Sequence, residues 1–424
     1  MIQEREPAAT GRRRAPEAVS GRPLRVLFVS RNYPNPVMPL LGLWVEGLAQ
    51  SLAKRCEVRV ISPVPYCPPI PGLSHSYTRY RAIPRRDVRD RIDVLHPRLL
   101  LAPGYWYHGL ESISYSWAVS GVADRLRREF DFDLIHAEFS FPDGFVAARL
   151  GQRYGVPVLI TEQAPWHPWM DEYRLARMQA LWAVRHSAFH IAISRSLRAE
   201  IAHFTGDSRR LRLIPNGVDT DIFRPAPAPA PDLSEILFVG AIRRVKGVDL
   251  LLRALRILLD RGRKVKLTIV GEPLFRSYSR DADEVRALAR DLMLEPHLEF
   301  AGGKAGGDLA KYMRRAGVLV LPSRKESLGM VLAEAISCGT PVVATRCGGP
   351  EDIVTDQVGA LAPPEDPEAL ADGIAHVLDH RAQYDPERLH RYIEENFSWE
   401  SVVRRVMPLY ADALSRSVGP EGKR

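Results

Sequence analysis

The length and composition of the chain indicate a globular protein of two domains. Its 424 residues, 46% of them hydrophobic, exceed what a single hydrophobic core normally serves. No run of eighteen apolar residues occurs and the first residues are charged, so we expect no membrane span, no secretory signal and a cytoplasmic location. Cys56, Cys67, Cys338 and Cys347 lack the spacing of a zinc site or a disulfide framework, and we interpret them as small apolar residues.

The formal net charge of +8 is unevenly distributed along the chain. Residues 1–22, which include Arg12, Arg13 and Arg14, are predicted to form a disordered basic tail. A second concentration comprises Arg79, Arg81, Arg85, Arg86, Arg89 and Arg91. Anionic phospholipid headgroups, phosphorylated substrates and nucleic acid all attract such patches, but no nucleic-acid-binding motif accompanies the arginines. A solvated basic surface is the alternative.

From Leu24 onward, short apolar runs alternate with longer amphipathic ones. The first half contains the segments LRVLFVS, LWVEGLAQSLAKR, EVRVIS, DLIHA, FPDGFVAARLGQRYG, VPVLITE, FHIAIS and LRLIPN. This alternation predicts strands and helices in turn. Because the strand segments are continuously apolar, we expect a parallel sheet buried on both faces, in a Rossmann-like domain over residues 23–224.

A Pro-Ala stretch, PAPAPAP, then interrupts the rhythm from Pro225 to Pro231. Such a composition forms a semi-rigid spacer, so residues 225–233 are predicted to link two domains. The rhythm restarts with EILFVG, VDLLLRALRILLD, KVKLTIVG, HLEFAG, GVLVLP, GMVLAEAISCG and TPVVAT, which predict a second doubly wound parallel sheet over 234–396. Two such domains place the carboxyl ends of their strands at a shared cleft, where ligands of this fold class bind.

Between residues 63 and 120 the rhythm fails. The segment is rich in proline, arginine and aromatic residues, which include Tyr105, Trp106, Tyr107, Tyr115 and Trp117. It is too long for a plain connection. An acceptor-binding or membrane-apposed insertion and an irregularly packed surface segment are the two alternatives.

The segment from Leu321 to Gly349, LPSRKESLGMVLAEAISCGTPVVATRCGG, carries the most informative chemistry. A strand is followed by a polar loop, and a helix begins near Ser327 to Gly329, a geometry whose free N–H groups and positive dipole end hold a phosphate. Within that helix, Glu334 stands among apolar residues, where an unpaired carboxylate is costly to desolvate. Two ribose hydroxyls would satisfy it. An ordinary exposed helix glutamate is the alternative.

These residues resemble the signature of the retaining family 4 glycosyltransferases of GT-B fold. Glu326 and Glu334 are separated by seven residues inside ESLGMVLAEAISCGTPVVAT, as in that family. The segments IPNGVDTDIFRP, ILFVGAIRRVKGVDLLLRAL and FSWESVVRRVMPLYADAL are also similar to it, and the likeness extends over most of Leu24 to Leu414. The resemblance implies an α/β protein of GT-B architecture, in which two Rossmann-like domains face a central cleft. It also implies a carboxy-terminal helix, within 397–424, that packs back toward the first domain.

The resemblance implies roles for residues of the second domain. Glu334 would bind the donor ribose, and Glu326 would lie near the transferred sugar. Lys246 would neutralise the charge that develops on the departing phosphate. The donor diphosphate would accept backbone hydrogen bonds at the start of the helix, from Ser327, Leu328 and Gly329.

Glycines close to the donor phosphates are implied at two strand ends. Gly42 would serve in the first domain, in SRNYPNPVMPLLGLWVEGL, and Gly240 in the second. The family has an arginine directly after the latter glycine, whereas this chain has Ala241. Arg243 or Arg244 would replace that arginine as a catalytic or donor-binding cation, and a pair of surface arginines is the alternative.

In the first domain, HAEFSFPDG resembles the family's strand-end segment. The resemblance implies that His136 emerges into the cleft as a catalytic residue, and a structurally satisfied core histidine is the alternative. Gln163, in TEQAP, stands where many relatives carry a histidine or an arginine. Glutamine cannot be a general base, although it can hydrogen-bond a sugar hydroxyl. Retaining transfer does not need that residue if the departing phosphate deprotonates the attacking hydroxyl.

The expected function is retaining transfer of a hexosyl-type sugar from a UDP- or GDP-sugar to a hydroxyl of a glycan, glycolipid or other acceptor. Cell-envelope polysaccharide or glycoconjugate synthesis is the expected setting, with peripheral contact to the anionic inner face of a membrane. No metal is expected, because Asp131 and Asp133 precede a strand rather than follow one, and Lys246 supplies positive charge.

Other functions remain open at this point. A catalytically impaired nucleotide-sugar-binding partner protein is motivated by Ala241 and Gln163. An epimerase and a phosphorylase are the nearest rivals among enzymes. A dinucleotide-dependent dehydrogenase is disfavoured, because no G-x-G-x-x-G follows either leading strand.

Overall fold

The computed structural model describes residues 18–19, 21–66, 78–100, 111–166, 169–225, 232–272 and 279–417. Most of the predicted tail and of the Pro-Ala linker, Cys67, the aromatic residues Tyr105, Trp106 and Tyr107, and residues 418–424 lie outside these ranges. At the end of the predicted tail, Ala18–Val19 pairs with Arg22–Pro23 as two antiparallel strands. Arg22 also forms an ion pair with Asp133 at 2.8 Å.

The first half of the chain folds around one large sheet. Its described strands are β1 Ala18–Val19, β2 Arg22–Pro23, β3 Arg25–Val29, β4 Glu57–Ile61, β5 Val64–Pro65, β6 Arg86–Arg89, β7 Ile92–Leu95, β8 Arg98–Leu99, β9 Leu134–Glu138, β10 Val158–Glu162, β11 Phe189–Ala192 and β12 Leu211–Leu213. Eight of them form a sheet in the order β12-β11-β10-β9-β3-β4-β7-β6. Neighbours run parallel except β6 and β7, which form an antiparallel edge hairpin. The predicted parallel sheet is confirmed, and the irregular segment adds this hairpin to it.

Helices cover both faces of the first sheet. They are α1 Leu43–Leu52, α2 Glu111–Glu129, α3 Phe145–Tyr154, α4 Trp169–Glu172, α5 Arg174–Arg185 and α6 Arg195–Thr205. Buried side chains of α1 form one core with the strands, and those of α2 and α3 form another. A sheet with two such cores needs strands that are apolar on both sides, as the sequence has them.

The second half forms an entirely parallel sheet of six strands. These strands are β13 Asp232–Val239, β14 Lys266–Val270, β15 Leu298–Gly302, β16 Ala316–Leu321, β17 Val342–Thr345 and β18 Gly359–Ala362, in the order β15-β14-β13-β16-β17-β18. Its helices are α7 Val248–Asp260, α8 Ser279–Asp291, α9 Gly306–Arg315, α10 Met330–Ser337, α11 Pro367–Asp379 and α12 Pro386–Phe397. The chain therefore has the two doubly wound α/β domains that the sequence predicts.

The chain passes between the domains twice, and the two crossings lie side by side. Val218 and Ser398 form a parallel β-bridge. After it, α13 Trp399–Ser417 returns to the first domain, where it joins the core that contains α1. The Trp399 ring fills the space beside two glycines, because a Cβ added to Gly47 or Gly217 would lie 2.4 Å from it. None of the described helices is both long and apolar enough to cross a membrane.

Candidate functional site

Two loops of the second domain meet where neighbouring strands end. One loop, residues 240–247, follows β13, and the other, residues 322–329, follows β16. The N–H of Arg324 donates to the carbonyl of Val245 at 2.8 Å. A Cβ added to Gly247 would lie 1.9 Å from the carbonyl oxygen of Pro322, so only glycine fits there. The close packing fixes one loop against the other.

Lys246 and Glu326 lie on these two loops and form an ion pair, with Nζ and Oε2 2.5 Å apart. Ser323 Oγ donates to the same carboxylate oxygen at 3.3 Å. The pair is partly open, because 26% of the lysine side chain and 14% of the glutamate side chain are exposed. An adjacent cation and carboxylate that both reach solvent can neutralise a phosphate and orient a sugar hydroxyl.

A turn after β17 fixes the position of Glu326. The Glu326 N–H donates to Cys347 at 3.4 Å, and the Gly349 N–H donates back to the Glu326 carbonyl at 2.9 Å. A Cβ on Gly349 would lie 2.3 Å from the Cα of Leu328, so this turn also presses on the start of α10. Leu328 itself is buried, which holds the loop down on the core.

Arg324 organises the two loops, although no role is predicted for it from the sequence. Its guanidinium binds both carboxylate oxygens of Asp249 at 2.8 Å and contacts Glu365 at 2.6 Å. It also donates to the carbonyl of Arg244 at 2.6 Å. Burial alone would raise the pKa of Asp249, but the hydrogen bonds from Arg324 hold it below its ordinary value. The local sequence signal for this cluster is Asp249, an acidic residue in the first turn of α7.

The start of α10 is shaped to receive an anion. The helix begins after Gly329, whose φ of 92° lies in the left-handed region that glycine tolerates best. Among the described residues, no side chain caps this helix. Its first N–H groups therefore remain for a ligand, at the end of the helix where the dipole is positive. Ser327, Leu328 and Gly329 border this helix start.

Glu334 lies one turn further along α10, half-buried in the wall of a cavity. Burial raises the pKa of its carboxyl to about 7. Within the described part of the chain, no hydrogen bond or ion pair engages this carboxylate. A ligand that brings two hydroxyl donors would relieve its desolvation.

The cavity lies between the two domains and has a volume of about 900 Å³. Its lining includes the carboxylates Glu46, Asp219, Asp221, Glu334, Glu394, Glu395 and Glu400, and the cations Lys54, Lys304 and Arg404. Such an acidic lining suits neutral hydroxyl- and amide-bearing groups and repels a diphosphate. Lys246 and Glu326 are not part of the lining. The Lys246–Glu326 pair and this acidic cavity thus lie at separate places.

The predicted cations Arg243 and Arg244 share a loop with Lys246. Arg243 is half-buried, whereas Arg244 is exposed and its N–H donates to Asp281 at 3.0 Å. Gly240 stands at the start of this loop. A Cβ added to Gly271, on the neighbouring strand end, would lie 1.8 Å from the carbonyl oxygen of Gly240. Close backbone packing therefore occupies one side of Gly240.

Gly42 precedes α1 and has a φ of 79°. A Cβ there would lie 1.9 Å from the carbonyl oxygen of Asn32, so packing of the loop on itself already requires a glycine. The adjacent Leu43 lines the interdomain cavity. In the described structure, α1 also begins without a side-chain cap.

The expectation that His136 emerges into the cleft is wrong, because its side chain is completely buried. Nδ1 lies 2.6 Å from the Tyr410 hydroxyl, and Nε2 lies 2.7 Å from Thr161 Oγ1. The ring stacks on Phe28 at 4.9 Å, and burial lowers its pKa to about 3. His136 is thus a neutral core residue that ties α13 to the first sheet.

The strand-end residue that sequence reasoning missed is Glu138, the last residue of β9. Gln163 Nε2 donates to its Oε2 at 2.8 Å, while among the described residues its Oε1 has no hydrogen-bond partner. Burial raises the pKa of Glu138 to about 8. Gln163 also exchanges two amide hydrogen bonds with Asn216, at 2.7 and 3.2 Å. This network connects the strand end to the first interdomain crossing.

Two family models match adjoining parts of the chain. The model described as Glycosyltransferase Family 4 matches residues 41–222, and the model described as Glycosyl transferases group 1 matches residues 219–399. The D-inositol 3-phosphate glycosyltransferase of Frankia alni is 32% identical over 336 residues, 71% of this chain and 80% of the relative. The enzyme of that name from Acidothermus cellulolyticus is 34% identical, and the alignment covers 49% of each chain, about half its length.

Solved structures share the fold of most of the chain. Sucrose-phosphate synthase from Thermosynechococcus elongatus has a TM-score of 0.75 at 20% identity, and the match covers 93% of this chain and 100% of that one. The HepE protein of Anabaena, in complex with UDP-glucose, has a TM-score of 0.69 at 18% identity, with coverages of 93% and 100%. At these identities the likeness shows a common two-domain architecture.

Proposed function

The chain belongs to the group 1 glycosyltransferases, with a family 4 first domain, and on that premise we propose that it transfers a hexosyl-type sugar with retention of configuration. The donor is a nucleoside diphosphate sugar, and the acceptor is a hydroxyl of a glycan or glycolipid. The products are the glycosylated acceptor and the nucleoside diphosphate. Synthesis of a cell-envelope glycoconjugate is the setting that we propose for this reaction.

The arrangement around α10 carries the proposal. Glu326, the uncapped helix start and Glu334, which has no partner among the described residues, follow one another along one loop and α10. Lys246 contacts Glu326 from the neighbouring loop. A donor laid along them would present its transferred sugar to Glu326, its diphosphate to Lys246 and the helix N–H groups, and its ribose to Glu334. Each group of the donor then meets the charge or hydrogen-bonding group that suits it.

The mechanism follows from the position of the cation. Lys246 stabilises the negative charge that grows on the departing diphosphate as the glycosidic bond breaks. The departing phosphate oxygen then takes the proton of the attacking hydroxyl on the same face of the sugar, which retains the configuration. Closure about the paired crossings at Val218 and Ser398 excludes water from the reacting groups.

A uridine diphosphate sugar is the first donor to test. The HepE protein, which shares the fold, was crystallised with UDP-glucose. The acidic cavity beyond Glu334 offers oxygen acceptors to ribose hydroxyls and to the N–H groups of a base. We also propose that the reaction needs no metal, because Lys246, Arg243 or Arg244, and the start of α10 supply positive charge at the diphosphate.

Calorimetric titration with a set of donors tests the proposal. The purified protein is titrated with UDP-glucose, UDP-N-acetylglucosamine, UDP-galactose and GDP-mannose, first with EDTA and then with magnesium. We expect one donor to bind selectively in EDTA. Glu334→Ala should abolish that binding, and Glu387→Ala, at an exposed position on α12, is the matched control.

The outcomes separate the alternatives. If the protein binds no donor in either condition, the transferase proposal fails as stated. Selective binding without any transfer or donor hydrolysis would favour the catalytically impaired partner protein. Binding that appears only with magnesium would overturn the metal-free mechanism.

A further inference from the structure

Large apolar side chains are exposed at several places on the first domain, and four of them lie on neighbouring segments. Tyr66, Leu100, Ile113 and Trp117 are exposed to 42, 55, 64 and 73%. Ile113 and Trp117 lie four residues apart on α2, hence on the same side of that helix. Tyr115, on its opposite side, is completely buried. An apolar surface of this kind on a globular domain usually marks a site of interaction.

Hydrogen bonds place the segments that carry these four side chains next to one another. Ser114 Oγ, between the two α2 residues, donates to the carbonyl of Leu100 at 2.7 Å. The N–H of Tyr66 donates to the carbonyl of Leu99 at 2.7 Å, which places it beside the same strand end. We call the surface formed by Tyr66, Leu100, Ile113 and Trp117 the apolar face.

A basic segment borders the apolar face. Arg98, two residues before Leu100, donates to the carbonyls of Tyr80 and Ile83 and so holds the turn Arg79–Ala82 against this strand. Residues 78–100 contain seven arginines and three aspartates. Arg81 and Arg85 are exposed. The positive excess is complementary to the phosphates of anionic lipids.

The apolar face adjoins the cleft side of the first sheet. Glu111, at the start of α2, forms an ion pair with Arg31 at 3.6 Å. Arg31 follows the carboxyl end of β3, and its N–H donates to Asp143 at 3.2 Å. In this fold class the segments that follow parallel strands border the ligand cleft. A flat partner on the apolar face would therefore lie next to the mouth of the cleft.

We propose that the apolar face docks the protein on an anionic phospholipid bilayer. Trp117 and Ile113 enter the headgroup region, and the exposed Arg81 and Arg85 contact lipid phosphates. Tryptophan and tyrosine are favoured at this depth because their rings are apolar and their polar atoms stay hydrated. The positive charge beside the face selects an anionic bilayer over a neutral apolar partner.

The docking also specifies the acceptor class, and this step rests on the proposed transferase function. A hydroxyl carried by a membrane lipid or a lipid-linked glycan would be delivered at the mouth of the cleft. The bilayer thus brings the acceptor to the first domain, while the donor binds the second.

Vesicle sedimentation tests the docking without donor or acceptor. The full-length protein is mixed with sucrose-loaded vesicles of phosphatidylcholine, alone or with phosphatidylglycerol, and centrifuged. We expect binding to the anionic vesicles only. Trp117→Gln should weaken it about tenfold through lost apolar burial, and Arg85→Gln about fivefold, an effect that high salt removes. Circular dichroism verifies that each variant is folded.

The control is Met293→Asn, which removes an apolar side chain exposed to 75% on the second domain. Asparagine tolerates the φ of 53° at this position. Its vesicle binding should equal that of the wild type. Wild-type protein that stays in the supernatant, equal binding to neutral vesicles, or an equal loss in Met293→Asn would overturn the docking proposal. A protein that binds vesicles but no donor would overturn the transferase proposal instead, so the two failures are distinguishable.

Discussion

Glu334 should make the affinity for the donor depend on pH. Burial raises the pKa of its carboxyl to about 7, and the proposed ribose hydroxyls donate hydrogen bonds to the ionised form. Donor binding therefore favours the carboxylate form of Glu334, so the affinity for the donor rises as the pH increases through 7. Below pH 7 the carboxyl is protonated in the free protein, and donor binding releases that proton. If only the carboxylate binds, affinity is about elevenfold below its limiting value at pH 6 and about twofold below it at pH 7.

Calorimetry with an intact nucleoside diphosphate sugar measures this dependence. Each phosphate of such a donor carries one ester and one anhydride bond and keeps one strongly acidic oxygen, so the donor itself adds no pH dependence near neutrality. Titrations in buffers of different ionisation enthalpy count the proton released. Glu334→Gln cannot ionise, and it should bind weakly with equal affinity at pH 6 and 8. The reasoning is refuted if wild-type affinity is constant from pH 6 to 8, or if the glutamine variant keeps the slope.

Four further substitutions test the other predictions. Lys246→Met should lower kcat about 10²–10³-fold with a much smaller effect on donor affinity; an unchanged kcat at saturating donor excludes the leaving-group role. Gly47→Ala should destabilise the protein by about 1–3 kcal/mol, because its Cβ would lie 2.4 Å from the Trp399 ring. In the same urea titration Gly121→Ala, with nothing within 4 Å of its Cβ, should be neutral or stabilising. Burial raises the pKa of Glu138 from 4.5 to about 8, so its stabilising contribution is complete below pH 4.5 and lost as pH rises through 8. Glu138→Gln should reduce this loss of stability at high pH. If the urea midpoints of the wild type and the variant depend equally on pH, the prediction is wrong.

The sheet architecture could be predicted because buried parallel strands are continuously apolar. The β6–β7 hairpin could not, since it lies at a sheet edge within the sequence RDVRDRIDVL. An edge strand is solvated on one side, and arginines and aspartates occupy it, so its pattern differs little from that of a charged loop. Its partner β7 is the last strand on that side with buried residues at alternate positions.

The residues around α10 were predicted from a resemblance, but their contacts were not. Lys246 and Glu326 are eighty residues apart, and their contact depends on how two loops pack at the ends of β13 and β16. Gly247 and Arg324 enforce that packing, and a single sequence does not reveal which distant groups they meet. Site residues that lie within one segment could be predicted from the sequence, whereas contacts between residues of two distant segments could not.

The prediction for His136 failed because both faces of a parallel strand are buried. His136 lies in the middle of β9, and Glu138 is its last residue. Both side chains are completely buried, so a strand buried on both faces hides a polar residue at either position.

The stereochemistry of slow donor hydrolysis tests the central claim most directly, because it needs no known acceptor. The selected α-linked donor is incubated with the protein, and the released sugar is followed by proton NMR before its anomers equilibrate. We expect the α anomer to appear first and Lys246→Met to suppress its release. Release of the β anomer first would contradict retaining transfer.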